Sequence, residues 1–246
     1  MKKSYRFELC TETLEAAIAA EQGGADRLEL CTDLRVSGLT PSAELLTATL
    51  KRVSIPVHVL IRPRAGDFVY SADEFALMGR QIDEAKTAGA HGIAVGILLP
   101  DGSIDVPRTR ELAKRAHGMH ITFHRAFDEI ADSSNPAVIA KALEDVIRAG
   151  AQTLLTSGCS PNVLEGASRI GRLQMLAGDR LEIMAGGGLK LTNLVEVVNR
   201  SGVTTLHGSL NRARTVASPE EAYQALVSDI QEAIRLLQQE CLEAAG

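Results

Sequence analysis

The chain has 246 residues, of which 45% are hydrophobic, and it carries a formal net charge of −5 at pH 7. With 3% aromatic residues and no tryptophan, it offers neither the basic surface nor the stacking side chains of nucleic-acid-binding proteins, so nucleic acid is not expected as a partner. No apolar run approaches the length of a membrane span and no Pro/Gly/Ser-rich linker divides the chain, so residues 1–246 are expected to form a single domain with no membrane partner.

Apolar segments of strand length alternate with helical patterns along the whole chain. Residues 5–10 and 27–31 are predicted strands, and the helical pattern over residues 13–23 joins them into a βαβ unit with parallel strands. Six more strands are predicted, at residues 57–62, 92–98, 120–125, 153–157, 181–185 and 203–207. A glycine just past a helix permits the left-handed conformation that ends it, and four predicted helices end in this way, at Gly24, Gly89, Gly150 and Gly202.

Eight βα units in 246 residues predict an α/β fold, a single (β/α)8 TIM barrel, which typically has roughly 250 residues. An open, doubly wound sheet uses the same alternation of strands and helices and is the alternative fold. The last helical pattern, over residues 219–242, has apolar residues along one side and is expected to pack on the barrel.

The first residues and the cysteines together predict a cytoplasmic protein. Lys2 and Lys3 are followed by the polar segment 4–8 rather than by a continuous apolar stretch, so no signal peptide is expected. The four cysteines include no CxxC spacing, which fits a reducing compartment where thiols remain free. The negative net charge and the low aromatic content favour a small molecule or a metal ion as the partner.

The motif Glu-Leu-Cys-Thr occurs at residues 8–11 and again at residues 29–32, each time at the end of a predicted strand. Because side chains alternate along a strand, Glu8 shares a side with Cys10 and Glu29 shares a side with Cys31. Thiolates suit Cu(I), and neighbouring strands lie about 4.8 Å apart, so the two cysteines are candidate ligands of one metal ion. The alternative is that each cysteine is a small buried hydrophobic residue.

Polar side chains occupy the ends of most predicted strands, where the active sites of TIM barrels lie. The candidate catalytic residues are Glu8, Glu29, Arg62, His124 and Arg125, and further candidate pocket residues are His58, Asp67, Asp128, Ser157 and His207. In the catalytic interpretation either glutamate is the general base, His124 is an acid or an electrophile, and the two arginines bind negative charge. In the structural interpretation the glutamates pair with the arginines in a buried network, and the histidines are satisfied core residues.

Glycines follow the last two predicted strands. The seventh strand is followed by Gly186, Gly187 and Gly188, and the eighth by Gly208 and Ser209. In TIM barrels these two loops often hold a phosphate through backbone N–H groups, which glycines leave accessible. The five residues are therefore a predicted anion-binding site, and the alternative is that the glycines only form tight turns.

Several long motifs resemble the CutC family of copper homeostasis proteins. The resemblance spans nearly the whole chain and is carried by residues 7–10, 28–31 with 38–42, 58–68 (HVLIRPRAGDF), 122–128 (TFHRAFD), 155–158, 186–188 and 206–209. It implies a cytoplasmic TIM barrel with a role in copper tolerance that forms a homo-oligomer, a dimer or a tetramer. It also implies Cu(I) as the bound metal, held at the positions of Cys10 and Cys31.

Two classes of function stay open at this point. In the first, which the resemblance favours, the protein binds Cu(I) for copper homeostasis and catalyses no reaction. In the second, it is an enzyme that acts on a small anionic substrate, for example a phosphorylated one, at the carboxyl end of the barrel. The many polar strand ends favour the enzyme.

Overall fold

Eight parallel strands form a closed barrel with helices on its outside. The computed structural model describes residues 4–210 and 218–243. The strands are β1 (Arg6–Thr11), β2 (Arg27–Leu30), β3 (Val57–Leu60), β4 (Gly92–Val95), β5 (His120–Phe123), β6 (Thr153–Thr156), β7 (Glu182–Ala185) and β8 (Thr205–Gly208). They pair in chain order and β8 pairs with β1. This closure confirms the predicted TIM barrel and rules out the open sheet.

The helices that connect the strands are α1 (Leu14–Gly23), α2 (Ala43–Leu50), α3 (Ala72–Ala88), α4 (Val106–Arg115), α5 (Pro136–Ala149), α6 (Val163–Ala177), α7 (Leu194–Ser201) and α8 (Pro219–Glu243). The four predicted glycine ends of helices are confirmed, with left-handed φ angles of 88°, 92°, 94° and 71° after α1, α3, α5 and α7. None of the helices in residues 4–210 and 218–243 is both long and apolar enough to cross a membrane.

Helix α8 packs against α1 through the apolar side that the sequence indicates. Ile230 and Ala233 are fully buried there. A Cβ atom placed on Gly23 would lie 2.7 Å from the Cβ of Ile230. Because real Cβ atoms do not approach so closely, the glycine sets the distance between the two helices.

Five predicted strands extend too far at their carboxyl ends. β2 and β6 end one residue earlier than predicted and β3 and β5 two residues earlier, and β4 ends at Val95 rather than at residue 98. The residues after Val95 are buried in a loop, where the N–H of Leu98 donates to the carbonyl of Phe68 at 2.9 Å. Burial without strand pairing gives the same apolar pattern as a strand. Because β3 ends at Leu60, Arg62 lies in the loop that follows this strand.

The interior of the barrel carries charged side chains where branched aliphatic side chains are usual. In the register of the sheet, Glu8 lies beside Arg27 of β2 and beside His207 of β8. Cys10 lies beside Glu29. The strands are thus staggered, so that the two copies of the repeated motif do not face each other residue by residue.

Candidate functional site

A cavity of about 1180 Å³ opens at the carboxyl end of the barrel. The predicted site residues in its wall are Cys10, Glu29, Arg62, Asp67, His124, Arg125, Gly187, Gly188, His207, Gly208 and Ser209. The predicted residues that do not line it are Glu8, Cys31, His58, Asp128, Ser157 and Gly186. The cavity therefore collects candidates from β1, β2 and β8 and from the loops after β3, β5 and β7.

Glu8 is buried between two partners on neighbouring strands. Its Oε1 atom lies 2.7 Å from Nδ1 of His207, and its Oε2 atom is paired with the guanidinium of Arg27. The structural interpretation expected Arg62 or Arg125 in this place, which is wrong. Sequence reasoning missed Arg27, although its position in β2 gives it the same side-chain direction as the glutamate two residues later.

These contacts shift the pKa values of Glu8 and His207 in opposite directions. Burial by itself would raise the pKa of Glu8, but the hydrogen bond with His207 and the charge of Arg27 lower it. Burial by itself would lower the pKa of His207, but the charge of Glu29 and the hydrogen bond with Glu8 raise it. The pair therefore favours an anionic Glu8 beside a protonated imidazole.

Glu29 faces the cavity between Cys10 and His207. The thiol of Cys10 donates to its Oε1 atom at 3.4 Å, and Nε2 of His207 lies 4.0 Å from the same oxygen. Burial raises the pKa of Glu29, against the opposing charge of His207. One ligand atom from each of these three residues can be chosen so that all lie within 4.8 Å of one another. The three side chains together could therefore hold a metal ion.

The two predicted copper ligands lie close together. The Sγ atoms of Cys10 and Cys31 are 3.6 Å apart. Cys31 is 0% exposed and its thiol donates to the carbonyl of Thr11 at 3.4 Å, whereas Cys10 is 8% exposed and lines the cavity. The hydrogen bond with Cys31 and burial raise the pKa of the Cys10 thiol. Without a metal ion, Cys10 is therefore a protonated thiol.

His124 has one ring nitrogen available as a hydrogen-bond donor. Its Nδ1 atom accepts the N–H of Ala126 at 3.1 Å, so the proton of the neutral ring lies on Nε2. The described residues supply no hydrogen-bond partner for Nε2. Burial, together with the charge of Arg62, lowers the pKa of His124 to about 3. This environment favours a neutral electrophile over an acid.

Arg62 forms hydrogen bonds with the loops that follow β2 and β3. Its Nη1 atom donates to the carbonyls of Val36 at 2.6 Å and Gly38 at 2.9 Å, and its Nη2 atom donates to the carbonyl of Gly66 at 2.9 Å. The guanidinium also lies 5.1 Å from the ring centre of Phe68. Most of its donors are therefore used within the protein.

Arg125 lies against the glycine loop after β7. It pairs with Asp128 at 2.8 Å and donates to Oγ of Ser157 at 3.3 Å. A Cβ placed on Gly187 would lie 2.9 Å from Cζ of Arg125. Gly187 and Gly188 have φ angles of 97° and 79°, and within the described ranges no protein acceptor receives their N–H groups. A cation and two backbone donors therefore meet in one part of the cavity wall.

Three other predicted residues make structural contacts. The N–H of Gly186 donates at 3.1 Å to the carbonyl of the last residue of β6, which continues the pairing of β6 with β7. The ring of His58 stacks on His120 at 5.1 Å, and burial lowers the pKa of His58 to about 3. Asp67 pairs with Arg64 at 2.8 Å near the outer rim of the cavity.

The sequence comparisons all match this chain to one family. The sequence profile of the CutC family matches residues 5–212. A CutC family protein of Photobacterium profundum is 39% identical over 220 residues, which are 89% of this chain and 87% of that protein. A CutC family protein of Chromobacterium violaceum is 43% identical over 203 residues, which are 82% of this chain and 80% of that protein.

Two solved structures superpose on this chain, one of a CutC protein and one that shares only the fold. A CutC protein from Streptococcus agalactiae, assigned provisionally to copper homeostasis, superposes with a TM-score of 0.77 at 30% identity and covers 84% of this chain and 100% of its own. An aldolase superposes with a TM-score of 0.63 at 16% identity, covering 85% of this chain and 91% of its own, and shares the fold alone.

Proposed function

We propose that this chain, which belongs to the CutC family, acts in copper homeostasis by binding Cu(I) in the cytoplasm through Cys10 and Cys31. The observation that carries this proposal is the distance of 3.6 Å between the two Sγ atoms. A thiolate pair is the donor set that Cu(I) prefers. The cytoplasm keeps such thiols reduced and available.

The separation of the thiols fits one shared ion. Two sulfur atoms bound at about 2.3 Å lie roughly 3.8 Å apart at a tetrahedral angle and roughly 4.6 Å apart in a linear two-coordinate arrangement. The observed 3.6 Å therefore fits an ion that takes further ligands besides the two thiolates. Leu60, Ala94 and Leu34 surround the two cysteines. This apolar shell limits access of water to the ion, and entry from the cavity passes Cys10.

The test is an anaerobic titration with Cu(I) against a competing chelator. The wild type should bind one Cu(I) per chain. Cys10→Ser and Cys31→Ser should each weaken binding by more than roughly 100-fold, since loss of an outer-shell partner alone costs up to that factor. Cys241→Ser, on α8, is the matched control and should bind as the wild type does. Equal retention of Cu(I) by the wild type and the Cys10/Cys31 double variant would refute the proposal.

A second candidate function is supported by the surroundings of Arg125. Its guanidinium and the N–H groups of Gly187 and Gly188 lie on the same cavity as Glu29 and His124. Such a cavity suits an enzyme that acts on a small anionic substrate. Phosphorylated compounds belong to this class.

The roles in such an enzyme follow from position. Of the two glutamates, Glu29 lines the cavity and Glu8 does not, so Glu29 is the general base and Glu8 orients His207. His124 donates a hydrogen bond from Nε2 to a substrate oxygen. Arg125 and the glycine loop hold the anion. Inorganic phosphate is the simplest probe: if it does not bind to the wild type at this loop, the enzyme proposal loses its main support.

A further inference from the structure

We propose that Cys10, Glu29 and His207 form a binding site for a divalent metal ion of the zinc type, with a fourth coordination position open to the cavity. This site shares Cys10 with the proposed Cu(I) site and does not use Cys31. The two proposals can be tested separately, because Cys31 belongs only to the Cu(I) site, whereas Glu29 and His207 belong only to this site.

The distances suit a single ion. The Sγ of Cys10 lies 3.4 Å from Oε1 of Glu29, and Nε2 of His207 lies 4.0 Å from that oxygen. Protein ligands bind Zn²⁺ at about 2.0–2.3 Å, so neighbouring ligands of a tetrahedral ion lie roughly 3.3–3.8 Å apart. The ligand atoms of Cys10 and His207, the third pair, lie within 4.8 Å of each other, so side-chain movements of up to about 1 Å complete the site.

The histidine already has the support that a metal ligand needs. A coordinating imidazole usually donates its other ring N–H to a carboxylate, which fixes its tautomer and orientation. His207 places Nδ1 2.7 Å from Glu8, and Arg27 holds the second oxygen of Glu8. The Nε2 atom is left on the side of Glu29, where a metal ion would replace its proton.

Glu29 also needs a cation. It is 5% exposed, and within the described residues its hydrogen bonds amount to one contact, from the Cys10 thiol. A buried carboxylate with so few donors is either neutralised by a proton or stabilised by a positive charge beside it. An ion among the three ligand atoms would supply that charge directly, whereas the nearest imidazole nitrogen is 4.0 Å away.

The donor set selects the type of ion. One thiolate, one carboxylate and one imidazole match the ligands of Zn²⁺, whereas Cu(I) prefers sulfur alone. Three protein ligands with an open fourth position are typical of catalytic rather than structural zinc. All three side chains line the cavity, so the open position faces the space that a small ligand would occupy.

Co²⁺ is the probe, because a cobalt–thiolate bond gives a charge-transfer band in the near ultraviolet and four-coordinate Co²⁺ gives intense visible bands. Metal-free wild-type protein should bind one Co²⁺ per chain with both signals, and Zn²⁺ should displace it. Glu29→Gln and Cys10→Ser should abolish the signals. Cys31→Ser should keep both Co²⁺ signals. Cys241→Ser is the matched control and should give the same signals as the wild type.

Glu8→Gln provides a second variant, since it leaves all three ligands in place and removes the carboxylate behind His207. It should weaken Co²⁺ binding about 10- to 100-fold. Circular dichroism of each variant checks that the barrel is folded. A wild type without a thiolate band in excess Co²⁺ would overturn the proposal.

The Cu(I) and Co²⁺ titrations separate the two metal proposals. Loss of Cu(I) with Cys31→Ser and loss of Co²⁺ with Glu29→Gln is the result expected if both sites exist. If Cys31→Ser abolishes the Co²⁺ signals and Glu29→Gln does not, the ion sits between the thiols and the three-residue site is refuted. If Co²⁺ binds as described while Cu(I) does not bind to the wild type, the Cu(I) proposal alone fails.

Discussion

The Nδ1 atom of His207 lies 2.7 Å from the Oε1 atom of Glu8, a residue 199 positions earlier in the chain. This contact joins the last strand of the barrel to the first, beside the hydrogen bonds that pair β8 with β1. The same carboxylate binds Arg27 on the other side. Glu8 therefore links β8, β1 and β2 at the base of the proposed metal sites.

Glu8→Gln should destabilise the protein, because it leaves the largely buried guanidinium of Arg27, 12% exposed, without its anion. We expect the free energy of unfolding to fall by about 3 kcal/mol, the lower end of the range for breaking a buried pair. Urea denaturation of metal-free protein measures it. Glu144→Gln is the matched control, since its pair with Arg180 is half exposed and water screens it. Equal losses in both variants would contradict the prediction.

His124 should make the protein less stable in acid. Its pKa is about 3 in the folded protein and near 6.5 in the unfolded chain, so between these values the unfolded chain binds a proton that the folded protein does not. Stability is therefore lost as the pH falls from about 6.5 towards 3, by up to about 1.36 kcal/mol per pH unit. His124→Asn keeps an acceptor for the N–H of Ala126 and removes this dependence. Denaturant midpoints from pH 7 to pH 4 should be flatter for the variant, and parallel curves would be evidence against the assignment.

Gly187→Ala should abolish binding of inorganic phosphate, because the added Cβ would lie 2.9 Å from Cζ of Arg125 and displace the guanidinium. Gly89→Ala is the control. It has a similar left-handed φ of 92°, compared with 97° at Gly187, but nothing lies within 4 Å of its added Cβ. Both variants carry the backbone strain, and Gly187→Ala should lose more unfolding free energy, because the displaced guanidinium leaves the buried Asp128 without its cation. Calorimetry should show loss of phosphate binding in Gly187→Ala alone; unchanged binding there would remove Gly187 from the anion site.

Arg62→Lys tests whether Arg62 holds loops or binds the anion. A lysine cannot reproduce the contacts with three carbonyl groups, so the free energy of unfolding should fall by about 2 kcal/mol. Phosphate affinity should stay within about threefold of the wild type, since Arg125 lies at the glycine loop instead. Loss of phosphate binding without loss of stability would show that Arg62 binds the anion and does not hold the loops.

The sequence predicted the barrel because each strand is a short apolar segment, the segments between the strands have helical patterns, and four of the helices end at a glycine. Gly24, Gly89, Gly150 and Gly202 mark four of those ends, and a left-handed glycine depends on local backbone geometry alone. The ends of strands were less predictable. Residues 96–98 continue the apolar pattern of β4 because they are buried in a loop, and burial does not require strand pairing.

The partners within the site were harder to predict than its members. Side-chain alternation gives the side on which Glu8, Cys10 and Glu29 lie, but the stagger between β1 and β2 decides which residues become neighbours. That stagger places Arg27 beside Glu8. The stagger cannot be read from a single sequence. The packing of Arg125 on Gly187 joins loops 62 residues apart, which strand patterns do not address.

Cys31 lies behind Cys10 as seen from the cavity, with 0% of its surface exposed against 8% for Cys10. An alkylating reagent added to the native protein therefore has to react with the two thiols in a fixed order, with Cys10 first. Once Cys10 carries a bulky adduct, the route to Cys31 is closed. Alkylation of the folded chain would stop at one thiol of the pair, and the second would react only when the barrel opens, so its labelling rate reports the opening of the barrel itself.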